Sequence, residues 1–375
     1  MSTAPPAQAY AAALAGFSLM NVHRLGALLR HHPPEHAFAI ASGHAPADGL
    51  IGRVLAKPDV RDTWRTCATT HSPERVWQRC HDLGVRVIVY GDPDYPTILL
   101  DDPLPPPVLF ALGDLAVLEG RRVAIVGTRN ATAAGRDVAT RLGHGLGASG
   151  VHVVSGLARG IDGCAHRGLL GAQGAGRALG VVASGLDVVY PREHLQLWRQ
   201  VAEHGLLLSE APPGTSPEAH RFPLRNRIIA AMSELVVVVE SREKGGSLIT
   251  VNEAADRGVP IMAVPGGLHN RSATGSNNLL REGAGAVIDA SDVLIALSMD
   301  HRRSGPAASD QRARPRRDDI PVYEACAGEP RTIDSIVLAV DVSLSEAAMS
   351  LARLEQAGWL GQADGWFEAV GAPLR

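Results

Sequence analysis

From residue 123 to residue 288 the chain keeps repeating one unit. A short, unbroken apolar run is followed by a Gly- or Ser-rich connection, and most connections lead into a stretch with helical spacing. The runs are 123–127, 151–155, 180–184, 206–209, 235–240, 260–264 and 286–288, and helices are predicted at 132–148, 161–173 and 248–257. An apolar run that does not alternate marks a strand covered on both faces. That pattern dictates a parallel sheet with helices on either side. Two further strands are expected at 85–90 and 108–112, separated by DPLPPP. The predicted fold class is therefore α/β: an extended Rossmann-like, mostly parallel sheet with helices on both faces.

The flanking regions have a different texture. Residues 1–83 form an expected small helical, SAM-like N-terminal domain, with helical spacing over 11–29 and 72–83 around a turn-rich 42–48. Residues 84–300 hold the sheet. Residues 301–317, HRRSGPAASDQRARPRR, lack apolar periodicity and carry six arginines, which reads as a flexible basic linker. Residues 318–375 are patterned again: helices are expected at 322–327, 332–339 and 343–356, and a hairpin from 359–360 and 366–370. Three helices and a two-stranded wing make a winged-helix-like C-terminal domain. Its third helix has one basic residue, Arg353, beside Glu346 and Glu355, whereas a helix reading the major groove needs donors. A protein-contact or regulatory role is expected for it.

Composition narrows the function. The formal net charge is −3, so nucleic-acid binding requires a local cluster of cations. Of 36 basic residues only Lys57 and Lys244 are lysine. The four cysteines, Cys67, Cys80, Cys164 and Cys326, form no CxxC pair, which disfavours a zinc site or disulfide framework and fits a reducing cytoplasm. MSTAPPAQAY does not read as a signal peptide, and the longest apolar runs are too short to span a bilayer. A cytoplasmic location without membrane contact is expected.

In an open parallel sheet, ligands bind beyond the carboxyl ends of the strands. The connections there form one predicted surface: Gly127, Thr128 and Arg129; Ser155, Gly156, Arg159, Gly160 and Asp162; Ser184 and Gly185; Arg225, Asn226 and Arg227; and Lys244, Gly245, Gly246 and Ser247. Glycine lets backbone N–H groups approach a phosphate, helix N-termini add partial positive charge, and arginine and lysine add full charge. Such a set suits several phosphates. Asp162 and His166 stand four apart on one predicted helix, which allows an acid/base pair, half of a metal site, or a structural pair with Asp162 on the helix dipole; no further ligands stand at metal-like spacing. Residues 127–135, GTRNATAAG, lack G-x-G-x-x-G, which disfavours NAD or FAD. No cofactor and no metal are expected.

These segments, taken in order, resemble the DprA/Smf DNA-processing family. The likeness is carried by VAIVGTR at 123–129, VVSGLARGIDGCAHRGLL at 153–170, FPLRNRIIAAMSELVVVVE at 222–240, KGGSLIT at 244–250 and SATGSNNLLREGA at 272–284. The resemblance implies a protein that is not an enzyme. It implies sequence-independent binding of single-stranded DNA, transfer of that DNA to the RecA recombinase in natural transformation or recombination, and a homodimer through the Rossmann domain. It places the DNA pocket at Gly127–Arg129, the loop 155–162 and Lys244 with its glycines. Thr128 replaces the family's usual serine, and Gly245 replaces a serine. Few aromatics, 4% of the chain, argue against a stacking platform. The rival reading is a nucleotide-processing enzyme of the LOG-like phosphoribohydrolase type, whose GGxGTxxE loop is echoed one residue too long at 245–253, ending on Glu253.

Overall fold

The computed structural model describes residues 4–298 and 312–370. Most of the expected linker, 301–311, lies outside the described residues.

Six helices open the chain: α1 (Ala7–Ala15), α2 (Val22–His31), α3 (Pro34–Ser42), α4 (Gly49–Leu55), α5 (Pro58–Thr70) and α6 (Pro73–Asp82). The helical spacing over 11–29 is thus two helices, not one. Gly16 caps α1, Leu19 takes a left-handed turn at φ 63°, and the Asn21 side chain caps α2 by accepting from the Arg24 amide.

β1 (Arg86–Val89) and β2 (Val108–Gly113) follow. The alternating part then runs β3 (Arg122–Val126), α7 (Ala133–Ala148), β4 (His152–Ser155), α8 (Ile161–Leu170), β5 (Ala178–Val181), α9 (Leu195–His204), β6 (Leu206–Ser209), α10 (Arg221–Ala231), β7 (Leu235–Val238), α11 (Ser247–Ala255), β8 (Ile261–Ala263), α12 (Thr274–Arg281), β9 (Gly285–Ala286) and α13 (Ala290–Ala296). These strands form one nine-stranded sheet in the order β1-β2-β6-β5-β4-β3-β7-β8-β9. Only the β1–β2 and β2–β6 pairings are antiparallel. The unbroken apolar runs are explained by burial from both sides. Val123, Ile125, Val153 and Val237 pack toward α7, α8, α9 and the N-terminal helices. Ala124, Val126, Val154 and Val236 pack toward α10 and α11.

The last unit contains α14 (Ile320–Ala327), β10 (Arg331–Thr332), α15 (Ile333–Val340), α16 (Leu344–Gln356), β11 (Leu360–Ala363) and β12 (Trp366–Ala369). Its core is Tyr323, Ile336, Leu351, Leu354 and Trp359. The lone arginine of α16 faces inward to an ion pair, because Arg353 Nε lies 3.1 Å from the buried Asp319 carboxylate. No single described helix is long and apolar enough to cross a membrane.

Candidate nucleic-acid interface

The carboxyl ends of β3, β4 and β7 surround a cavity of about 680 Å³. Its first wall is the turn after β3. The Thr128 amide donates to the Glu240 carbonyl at 2.8 Å, and the Thr128 hydroxyl accepts from the Asn130 amide at 3.2 Å. The Glu240 carboxylate, buried, then accepts from the Thr132 amide at 3.0 Å and the Thr132 hydroxyl at 2.6 Å. Thr132 in turn caps α7. The turn is locked from the other side by Gly160, whose φ of 73° and close approach leave no room for a side chain: a Cβ would lie 2.3 Å from the Thr128 carbonyl oxygen. So held, the turn projects Arg129 outward and exposed.

The Arg129 guanidinium sits 4.7 Å from the centroid of the Phe222 ring, and Phe222 lies 5.4 Å from Tyr190. Both rings line the cavity. Two of the chain's few aromatic rings thus meet beside the exposed Arg129, a placement that composition alone does not indicate. The opposite wall is the turn leading into α11, where Arg242, Gly245, Gly246 and Ser247 line the cavity. Lys244 is exposed directly before those glycines. Arg129, Arg242 and Lys244 are in no ion pair among the described residues.

The floor is different. Asp162 and Arg225 line it, yet both are almost fully buried. Asp162 accepts from the Gly156 amide at 3.0 Å. Burial pushes its carboxyl up, while the Arg225 charge and the Gly156 N–H pull it back. Burial brings the Arg225 guanidinium down to about 10, so it stays charged at neutral pH; the Asp162 charge works in the opposite direction. Arg225 Nη1 donates to the Val181 carbonyl, and its Nε–H is buried with no partner among the described residues. Gly156 makes space for this side chain, since a Cβ there would lie 2.0 Å from Arg225 Nη1. His166 lies deeper in α8, with Nε2 3.2 Å from the Val153 carbonyl, and burial pushes its pKa down to about 4. Asp162 and His166 are thus each tied to backbone, and among the described residues no three His, Cys, Asp or Glu side chains form a metal-binding group.

Of the residues expected on one surface, the cavity lining unites Gly127, Thr128, Arg129, Asp162, Arg225, Asn226, Gly245, Gly246 and Ser247. Lys244 is not on the lining but directly precedes Gly245, which is, and the other seven are set apart from the cavity. Ser155 is fully buried and donates to the Ile125 carbonyl at 2.7 Å, and the Gly156 amide is used by Asp162. Arg159 is exposed but paired with Glu193. Gly160 packs on Thr128. The Ser184 hydroxyl donates to the Val188 carbonyl at 2.7 Å, and the Gly185 amide to the Thr215 carbonyl at 2.9 Å. Arg227, expected near the rim, is buried and donates to Glu210 and to the Leu104 carbonyl at 2.6 Å. It stands two residues from Arg225 in α10, so the helix turns it toward β6 and the 104 loop, away from the cavity. Glu240, Tyr190, Phe222 and Arg242 were not foreseen. Phe222 opens the FPLRNR segment and Tyr190 lies far from it in the chain, and only the fold brings their rings together.

Comparison with known proteins adds to this geometry. Residues 86–298 match the family model of DNA recombination-mediator protein A. The chain is 44% identical over 224 residues to the DNA processing protein DprA of Bacillus subtilis, covering 60% of this chain and 75% of that one. Among solved structures, DprA from Streptococcus pneumoniae aligns at a TM-score of 0.63 and 28% identity, over 80% of this chain and all of that one. DprA from Helicobacter pylori, described for its single-stranded DNA binding mode, aligns at 0.51 and 27% identity, over 57% of this chain and 95% of that one.

Proposed function

Because the chain belongs to the DNA recombination-mediator protein A family, we propose that its rim cavity binds single-stranded DNA without sequence preference and that the protein helps load a RecA-type recombinase onto the bound strand. The observation that carries this reading is the pairing of exposed Arg129 with the Phe222 and Tyr190 rings at an open, glycine-walled cavity. Phosphates suit Arg129, Arg242 and Lys244; bases of any identity suit the aromatic faces, since every base has a π-face. The described carboxylate on the lining, Asp162, faces Arg225 and so repels a phosphate little.

The enzyme reading finds less support. Glu253, its would-be acid/base, is not on the lining, and its carboxylate accepts from Arg257 Nη1 at 2.6 Å, beside the Arg257–Asp102 pair. A homodimer through the sheet domain belongs to the proposal too: Ile288, just after the edge strand β9, and Ile295 in α13 are 70 and 63% exposed and would suit a second copy.

Fluorescence titration with homopolymeric single strands at several salt concentrations tests the reading. The log–log slope should be about −0.7 per phosphate neutralised, with little change between bases. Salt-independent binding, or no binding, overturns it. Release of adenine from AMP would favour the enzyme instead. Loading is tested by adding RecA to strands pre-coated with a single-strand-binding protein; no acceleration of filament growth removes that part.

A further inference from the structure

The carboxyl rim continues past the cavity to the far edge of the sheet. β1 is antiparallel to β2 and β2 to β6, so β1 runs in the same sense as β6. The residues after β1 therefore emerge on the same rim as the loops after β3, β4 and β7. There the turn between α2 and α3 overlies them, and the two enclose a separate cleft of about 500 Å³. Its lining includes Gln8, Arg30, His31, His32, Tyr90 and Asp92.

The chemistry of this cleft resembles that of the first cavity in kind. Arg30 and His31 are exposed. The His32 ring lies 5.2 Å from that of His36. The Tyr90 ring, 40% exposed, is held edge-on against Tyr95 at 5.2 Å, and its hydroxyl donates to the Leu100 carbonyl at 3.3 Å. An aromatic face is thus fixed in place beside a guanidinium. The carboxylate on the lining, Asp92, is already occupied by the Val89 amide at 2.9 Å and Gln8 Nε2 at 3.4 Å. Arg30 is in no ion pair among the described residues.

We propose that this cleft is a second contact for single-stranded nucleic acid, with Arg30 and the two histidines on the phosphates and Tyr90 on a base. The proposal rests on the reading of the first cavity as a single-strand site. Five strand steps separate β3 from β1 in the sheet. At roughly 4.8 Å per step they span about 24 Å. A strand needs about seven nucleotides to cover that span at the 3.4 Å per phosphate of a duplex strand, and fewer when extended. One strand lying along the rim can therefore fill both sites, and a very short one cannot.

Length dependence is the test. Full-length Arg30→Ala, the triple variant Arg30→Ala/His31→Ala/His32→Ala, and Tyr90→Leu are compared with the unmodified protein for binding of dT4, read by competition, and dT20, read directly. Thermal melting confirms that each variant is folded. The triple variant should bind dT20 about tenfold more weakly, with a salt slope smaller by about 0.7 for each phosphate that is no longer neutralised. Its dT4 affinity should stay within twofold. Tyr90→Leu should weaken dT20 about fivefold, the lower end of what one stacked base contributes. Unchanged dT20 binding in all three variants overturns the proposal. Equal losses on dT4 and dT20 overturn it too, because the substitutions would then act through the first cavity. If the unmodified protein binds neither oligonucleotide, the reading of the first cavity falls as well.

Discussion

The wall and the floor of the rim cavity each present an arginine, and the two have opposite circumstances. Arg129 is exposed, unpaired among the described residues, and spread over an aromatic ring. Arg225 is buried, with Asp162 as the opposing charge, and donates to the Val181 carbonyl of β5. In the sequence they look alike, as cations next to a strand end. Charge in this rim thus divides between groups left free for a ligand and groups that hold the rim in shape. The division also fixes where each kind of damage should register. Floor substitutions should appear in stability, and wall substitutions in DNA affinity with stability intact.

The largest effect expected is on the floor. Arg225→Ala removes a buried cation whose charge favours the Asp162 carboxylate and leaves the Val181 carbonyl without its donor, so a loss of about 1–3 kcal/mol in unfolding free energy is expected. Arg129→Ala should change stability by no more than about 0.5 kcal/mol. Urea unfolding of both variants measures the difference, and equal losses would erase the distinction between wall and floor. A second floor effect follows from His166. Its pKa falls to about 4 in the folded chain through burial, against an unfolded value near 6.5. The unfolded chain therefore takes up a proton first as pH drops. The stability contribution is fully present above about pH 6.5 and is lost as pH falls toward 4, by about 3 kcal/mol in all. Unfolding curves at pH 5 and pH 7 should show this slope, and His166→Gln should flatten it.

Wall effects come next. Phe222→Ala should weaken single-strand binding by about 1–3 kcal/mol, the contribution of one stacked base, with unfolding unchanged. Arg129→Ala should lower affinity and reduce the salt slope by about 0.7, the signature of one phosphate fewer neutralised. If Phe222→Ala instead lowers stability as much as it lowers affinity, the ring belongs to the floor.

How much of this was legible in the sequence follows the same division. The sheet could be read because strands buried on both faces must be apolar throughout, and 235–240 or 151–155 have no other use in water. The cavity walls could be read in part, since Gly127–Arg129 and Gly245–Ser247 directly follow strand ends. The helix break at Gly16–Leu19 escaped because apolar spacing runs on through a turn that only the left-handed Leu19 reveals. The floor escaped because burial is a tertiary property: nothing in FPLRNR says that Arg225 points into the cavity floor and Arg227 toward Glu210. The aromatic pair escaped for the same reason, Tyr190 and Phe222 being 32 residues apart in the chain and 5.4 Å apart in space.

The smallest expected effect is the most discriminating. Arg159 lies in SGLARGID, part of a segment that carries the family resemblance, and it is exposed like Arg129. It differs in one respect: its guanidinium is engaged by Glu193, whose carboxyl that contact holds down at about 2. An exposed pair of this kind is screened by solvent and adds little to stability, and a phosphate gains little from a cation whose charge is already matched. Arg159→Ala should therefore change single-strand affinity less than threefold and leave the salt slope where it was. Glu193→Gln should free the guanidinium and strengthen binding slightly, with a steeper slope. Should Arg159→Ala cost as much as Arg129→Ala, the phosphate outcompetes Glu193. Freedom from an ion pair would then no longer tell a wall arginine from a bystander, and the loop after β4 would have to be counted into the wall.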